Sequence, residues 1–290
     1  MSDASNTMRQ VRGRTRGHSH GGITRLMSPG DLGEVLKPFV FLDIFEGDMA
    51  RMQQAMPLHP HSGIATITVF TEGDVSYDDP QVGRGRIGYG GVELMQAGGG
   101  VWHGKELSAG TSRRVRGFQL WVALPPELEN GAAEPQYVES HRTPTIGPAR
   151  LVVGSFAGEH GAARAPAGMN YLMVRLAPNE SWHYHPPTGH TVAWLAMSSG
   201  DLVGATPAHA GELVVFEEGD EDVSLQAGSE GASLVLGSAV PHDYPLHLGN
   251  YSVHTSELAL AKGEARIQEL GERLRAEGRF GQQGPTPVQR

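Results

Sequence analysis

The chain has 290 residues, of which 39% are apolar and 19% charged, enough for two soluble domains, each with its own core. A net charge of −9 argues against nucleic acid as the main partner, and the absence of cysteine excludes disulfides, thiolate zinc sites and cysteine-bound iron–sulfur clusters. The sequence offers no N-terminal apolar segment and no apolar run long enough to span a bilayer, so no membrane association is expected and a cytoplasmic setting follows by default.

Forty glycines and nineteen prolines indicate short strands broken by many turns. In chain order, residues 1–22 carry Arg9, Arg12, Arg14 and Arg16 and then His18-Ser19-His20, all among small polar residues, and read as a flexible N-terminal arm. Residues 23–140 read as a first β domain. Its apolar run at 36–43 enters a buried strand; residues 64–70 form another, closed by the turn Glu72-Gly73-Asp74; residues 92–97 and 118–124 add two more. Arg113, Arg114 and Arg116 lie between these last two and read as a solvated face rather than an anion site.

Residues 141–256 read as a second domain that repeats the first. Thr191 to Ala196 followed by Ser199-Gly200-Asp201 echoes Ile67 to Phe70 followed by Glu72-Gly73-Asp74, and Gly211-Glu212-Leu213 echoes Gly91-Val92-Glu93-Leu94. After the capping pair Thr255-Ser256, residues 257–277 carry Ile267, Leu270 and Leu274 at helical spacing, a stripe expected to pack on a barrel, with Gly263 as a place where the helix could split. Residues 281–290 are expected to be disordered, so that 257–290 comprise a helix and a tail.

The chemistry concentrates at Leu58-His59-Pro60-His61-Ser62-Gly63 and at Gly98-Gly99-Gly100-Val101-Trp102-His103. In an extended backbone His59 and His61 point to one face, and His103 can join them from a neighbouring strand. Imidazoles at that density suit Fe(II), Mn(II), Ni(II) or Zn(II). Histidine pair, strand, glycine turn, strands, glycine corner, histidine is the order found in a cupin barrel. The fold expected is therefore all-β: two cupin jelly-roll barrels in tandem with a C-terminal helix. The second half does not repeat the ligands, because aligning the turns puts Pro186 and Thr188 opposite His59 and His61, and Asp222 opposite His103. His183, His185 and His190 are read as surface or hydrogen-bonded histidines, with a second metal site as the alternative, and His18 and His20 as a decoy.

These motifs, with Lys37 to Asp43, Gly117 to Pro125, Gly249-Asn250-Tyr251-Ser252-Val253 and Gly278-Arg279-Phe280-Gly281, resemble the pirin family of bicupins over nearly the whole chain. The resemblance implies one iron-type metal in the N-terminal barrel, held by three histidines and a glutamate, and quercetin 2,3-dioxygenase activity or a regulatory role. The family's glutamate stands two residues after the third histidine, where this chain has Lys105, with Glu106 one further on. A bulge at Gly104 would turn Glu106 toward the metal as fourth ligand and general base; the alternatives are an open three-histidine site or Lys105 beside the metal. The substrate implied is a flavonol or similar aromatic enol, with dioxygen. The other reading is an iron-binding regulator acting through a protein partner.

Overall fold

Strands make up most of the backbone, as the density of turn residues requires, in a computed structural model that describes residues 8–55, 57–166 and 168–280. The chain divides into one unit of Met27–Ser140 and His242–Arg290 and another of Met1–Leu26 and His141–Pro241.

In the first unit an antiparallel sheet runs from Glu134–Val138 through Val92–Gln96, Ile64–Glu72 and Arg114–Ala123 to Phe39–Asp48. Its central strands are buried on both faces, which is why they read as near-continuous apolar runs. Register assigns each face its residues. Leu42, Leu120, Ile67 and Leu94 form one cross-strand row, all fully buried; each such side chain contributes about 1.5–3 kcal/mol. The opposite face carries Phe41, Trp121, Thr66 and Met95 in one row and Asp43, Gln119, Thr68, Glu93 and Tyr137 in the next. A shorter ladder pairs Val101–His103 with His59–His61.

Residues 242–280 complete this unit. Ser256 caps the helix Glu257–Ala276, its Oγ accepting from Ala259 N at 3.2 Å. Gly263 does not split the helix. It is buried where a Cβ would meet Ser62 Oγ and His254 Nε2, each at 2.5 Å, so it lets the helix pack closely there. Of the expected stripe, Ile267 is buried, whereas Leu270 and Leu274 are only half-buried.

The second unit has a nine-stranded sheet ordered Val11–Thr15, Leu213–Phe216, Val192–Leu202, Val223–Ala239, Met169–Leu176, Ala149–Val153, Thr145–Ile146, with two short strands paired off this path. A cluster including Leu151, Leu172, Leu195, Val214, Leu234 and Leu236 fills it. The reading of residues 1–22 as a flexible arm does not describe residues 8–20. Val11–Thr15 pairs with Leu213–Phe216, its alternate residues Val11, Gly13 and Thr15 half-buried. Buried Arg9 anchors it through the carbonyls of Glu217, His190, Thr191 and Gly219. Residues 1–7 and the tail at 281–290 lie outside the described residues.

Candidate metal centre

The ladder between Val101–His103 and His59–His61 sets His103 directly opposite His59 and Val101 opposite His61. Strand alternation then brings the three imidazoles to one point: ring centroids lie 5.0 Å apart for His59 and His61, 4.7 Å for His59 and His103, and 5.2 Å for His61 and His103. One nitrogen from each falls within 4.8 Å of the others, which makes this a group that could hold a metal ion. Among the described residues it is the only such group, so His18, His20, His183, His185 and His190 form no second one. His185 instead pairs with Asp222 at 2.6 Å, and buried His190 contacts Ser238 Oγ at 2.9 Å.

The donor atoms fit a cation. His61 Nε2 and both ring nitrogens of His103 are buried without a hydrogen-bond partner, a costly condition that a bound metal would relieve. The other nitrogens orient the rings. His61 Nδ1 lies 3.1 Å from the Tyr251 carbonyl and His59 Nδ1 lies 3.0 Å from that of Pro57, so each donates its N–H there and leaves Nε2 as a lone pair. Burial, reinforced by mutual repulsion, holds the His61 pKa down to about 3 and that of His103 well below its usual value; burial also lowers His59. Neutral imidazole is the form that binds metal. Trp121 packs against His61 at 4.9 Å and stacks on Phe41 at 4.0 Å, giving the centre an aromatic wall.

Glu106 stands outside the group of three. Gly104 has φ +119, and the turn there brings Glu106 Oε2 within reach of the backbone: it accepts from Gly104 N at 2.8 Å and Lys105 N at 2.9 Å. Lys105 is exposed and Glu106 half-buried, close enough to raise the His59 pKa against the lowering effect of burial.

Two features escaped the sequence reading. Glu93 lies buried on the same sheet face as Trp121, one row further along, opposite Thr68 and Tyr137; burial pushes its pKa up to about 7. A glutamate at the alternate position of an apolar strand was the available signal. The second is a buried network: Ser62 Oγ lies 2.9 Å from His254 Nε2, and His254 Nδ1 lies 3.1 Å from Glu129 Oε2. Its members are far apart in sequence, and no local pattern could have joined them.

Comparison with known proteins agrees with this architecture. Residues 21–122 match the family model described as Pirin. A Pseudomonas aeruginosa protein named "Putative quercetin 2,3-dioxygenase" is 27% identical over 77% of this chain and 82% of its own length. A "Pirin-like protein" of Caulobacter vibrioides is 37% identical over 42% of this chain and 44% of its own. Among solved structures, a quercetin 2,3-dioxygenase from Acinetobacter baumannii superposes with a TM-score of 0.73 at 23% identity, covering 95% of this chain and 99% of that one. The nickel(II) complex of the Escherichia coli pirin YhhW gives 0.59 at 18% identity, covering 81% and 98%. No helix among the described residues is long and apolar enough to cross a membrane. Residues 21–122 thus carry a pirin-family domain, in a chain whose fold is matched along almost its whole length.

Proposed function

We propose that the chain is a metal-dependent oxidoreductase of the quercetin 2,3-dioxygenase type, acting with dioxygen on a flavonol or related aromatic enol, in the cytoplasm. The observation that carries this reading is the convergence of His59, His61 and His103 with buried, unpartnered nitrogens. Iron(II) is the first candidate, and the same donors admit Mn(II), Ni(II) or Zn(II); the nickel complex of the E. coli relative is compatible with that range. When bound by His59, His61 and His103, such an ion would supply a Lewis acid that favours the deprotonated form of an enol hydroxyl.

The chain's own residues would do the rest. The carbonyls of Pro57 and Tyr251 fix the tautomers of His59 and His61. Phe41, Trp121 and Met95 share the sheet face beside the imidazoles and would bound an aromatic ring there, with Thr68, Gln119 and Glu93 in the next row to meet its hydroxyls. Glu93, held near neutrality between its two protonation states, suits taking up the hydroxyl proton. Glu106 could serve as fourth ligand and general base after releasing the N–H groups of Gly104 and Lys105.

The test is metal analysis of untagged protein followed by anaerobic reconstitution with Fe(II) and a dioxygen-uptake assay with quercetin. Uptake matched by loss of the flavonol absorbance is the expected result. One bound metal per chain without uptake would favour the second reading, an iron-binding, redox-responsive regulator with a protein partner. That reading draws on one observation: the Glu106 carboxylate is bonded to its own loop rather than grouped with the imidazoles.

A further inference from the structure

Behind the metal centre's ladder lies a cavity of about 790 Å³ that the proposed chemistry does not use. It is lined on one side by the glycine corner, at Gly99 and Gly100, and on the other by the C-terminal helix. Trp102 joins the two. It neighbours His103 on the same strand, and alternation turns its indole away from the imidazoles, so that Nε1 donates to the Ile267 carbonyl at 2.9 Å. Leu270 and Leu274, the half-buried part of the helix stripe, complete an apolar wall.

The charge around this wall is one-sided. Lys262, Arg266, Arg273 and Arg279 all line the cavity, and no aspartate or glutamate does. In a chain of net charge −9, the usual arrangement is seen elsewhere: Arg113 pairs with Asp48 at 2.7 Å, Arg114 with Glu46 at 2.8 Å and Arg116 with Glu72 at 3.0 Å. At the cavity only Arg266 has such a partner, Glu269 at 2.7 Å; among the described residues Lys262, Arg273 and Arg279 make no ion pair. The helix dipole accounts for Arg273 in the last turn, but not for Lys262 or Arg266 nearer the other end. Glu269 offsets Arg266 on this face, but the cavity wall itself remains lined by cations alone, an arrangement that an anionic ligand would complement.

We propose that this cavity binds an organic phosphate: a phosphomonoester held by the arginine forks, carried on a flat apolar ring that packs against Trp102, Leu270 and Leu274. Its volume is that of a small-molecule site. Guanidinium groups are suited to phosphate because their paired N–H donors match its oxygens, and a dianion matches several cations better than a lone carboxylate does. The site is independent of the metal and of the proposed oxidation.

The experiment titrates 1-naphthyl phosphate into the metal-stripped full-length protein, followed by calorimetry and by tryptophan emission. One saturable site per chain is expected, weakening as salt is added. The uncharged 1-naphthol should bind at least about tenfold more weakly. Arg266→Glu and Arg273→Glu should each cost about tenfold in affinity, and the milder Arg266→Gln and Arg273→Gln somewhat less, with unchanged circular dichroism. Trp102→Phe should remove the emission change while the heat persists, and Arg84→Glu, on a different surface, should change nothing. Absence of saturable heat, equal affinity for 1-naphthol, or parental affinity in both charge-reversed variants would overturn the proposal.

Discussion

In the unit of Met27–Ser140, the strand Ile64–Glu72 lies between Val92–Gln96 and Arg114–Ala123; in the other unit, Val192–Leu202 lies between Leu213–Phe216 and Val223–Ala239. The frames correspond, but their buried polar groups are used differently. In the second unit Tyr184 Oη meets Ser238 Oγ at 2.7 Å, Asn170 Nδ2 donates to Tyr184 Oη at 2.9 Å, and His190 Nδ1 meets Ser238 Oγ at 2.9 Å. Those groups satisfy one another, and an apolar cluster fills the remaining space. In the first unit, His61 Nε2 and His103 Nδ1 and Nε2 are left without partners and converge. A buried histidine is thus structural or metal-capable according to whether its neighbours use its lone pair.

The sharpest way to break that comparison is to remove one imidazole from each unit. His61→Ala or His103→Ala should weaken metal binding by more than about 100-fold, measured by equilibrium dialysis with metal analysis. His190→Ala should leave metal binding unchanged and lower only the melting temperature. Loss of metal from the His190 variant would place the ligand set in the wrong unit.

Acid should act next, and most strongly on the first unit, since burial lowers the pKa of His190 as well but drives that of His61 down to about 3. His61 has a folded pKa of about 3 against an ordinary value of 6.5, so between those values the unfolded chain binds the extra proton. The contribution of His61 to the stability of the metal-free protein is therefore full above about pH 6.5 and falls as pH drops toward 3, by up to about 5 kcal/mol. Urea unfolding across that range should show the decline, and His61→Gln should flatten it. A profile identical in the variant would mean that His61 is solvated.

Glu93 works in the opposite sense. Its pKa rises from 4.5 to about 7, so the folded state binds the extra proton between them, and its contribution is lost as pH climbs through 7. Glu93→Gln should accordingly stabilise the metal-free protein at pH 8 by up to roughly 3 kcal/mol and do little at pH 4. Equal effects at both pH values would show that Glu93 titrates normally.

Much of this was legible in the sequence, for reasons that separate local from long-range information. The His-x-His spacing, the apolar strand after it and the glycine corner before His103 are local patterns, and the ladder assembles them as strand alternation requires. The segment around Val11 was misread because its arginines and glycines mask a period-two pattern whose partner strand is some two hundred residues away. The orientation of Glu106 depends on φ at Gly104, which no spacing rule fixes. Glu93 and Thr68 become neighbours only through register. The apolar stripe of the C-terminal helix was visible as spacing, but the cavity beside it was not, since that depends on Leu270 and Leu274 remaining half-covered.

The smallest effect expected concerns the buried network beside the centre. Ser62 Oγ, His254 and Glu129 stand in the order of a hydrolase triad, at 2.9 and 3.1 Å. Access decides against that role: Ser62 is 0% exposed, its hydroxyl also contacts Ser252 Oγ at 3.0 Å, and the helix covers it at Gly263. What remains is a positioning function. Ser62 follows His61 directly, while Glu129 also accepts from Thr255 N and Oγ1, each at 2.7 Å, so the network ties the ligand strand to the segment leading into the helix. Ser62→Ala should therefore cost about 1–2 kcal/mol in unfolding free energy and shift metal affinity by less than about tenfold. The native protein should resist labelling by a fluorophosphonate, and stoichiometric labelling at Ser62 would show instead that the triad opens to solvent and is chemically competent.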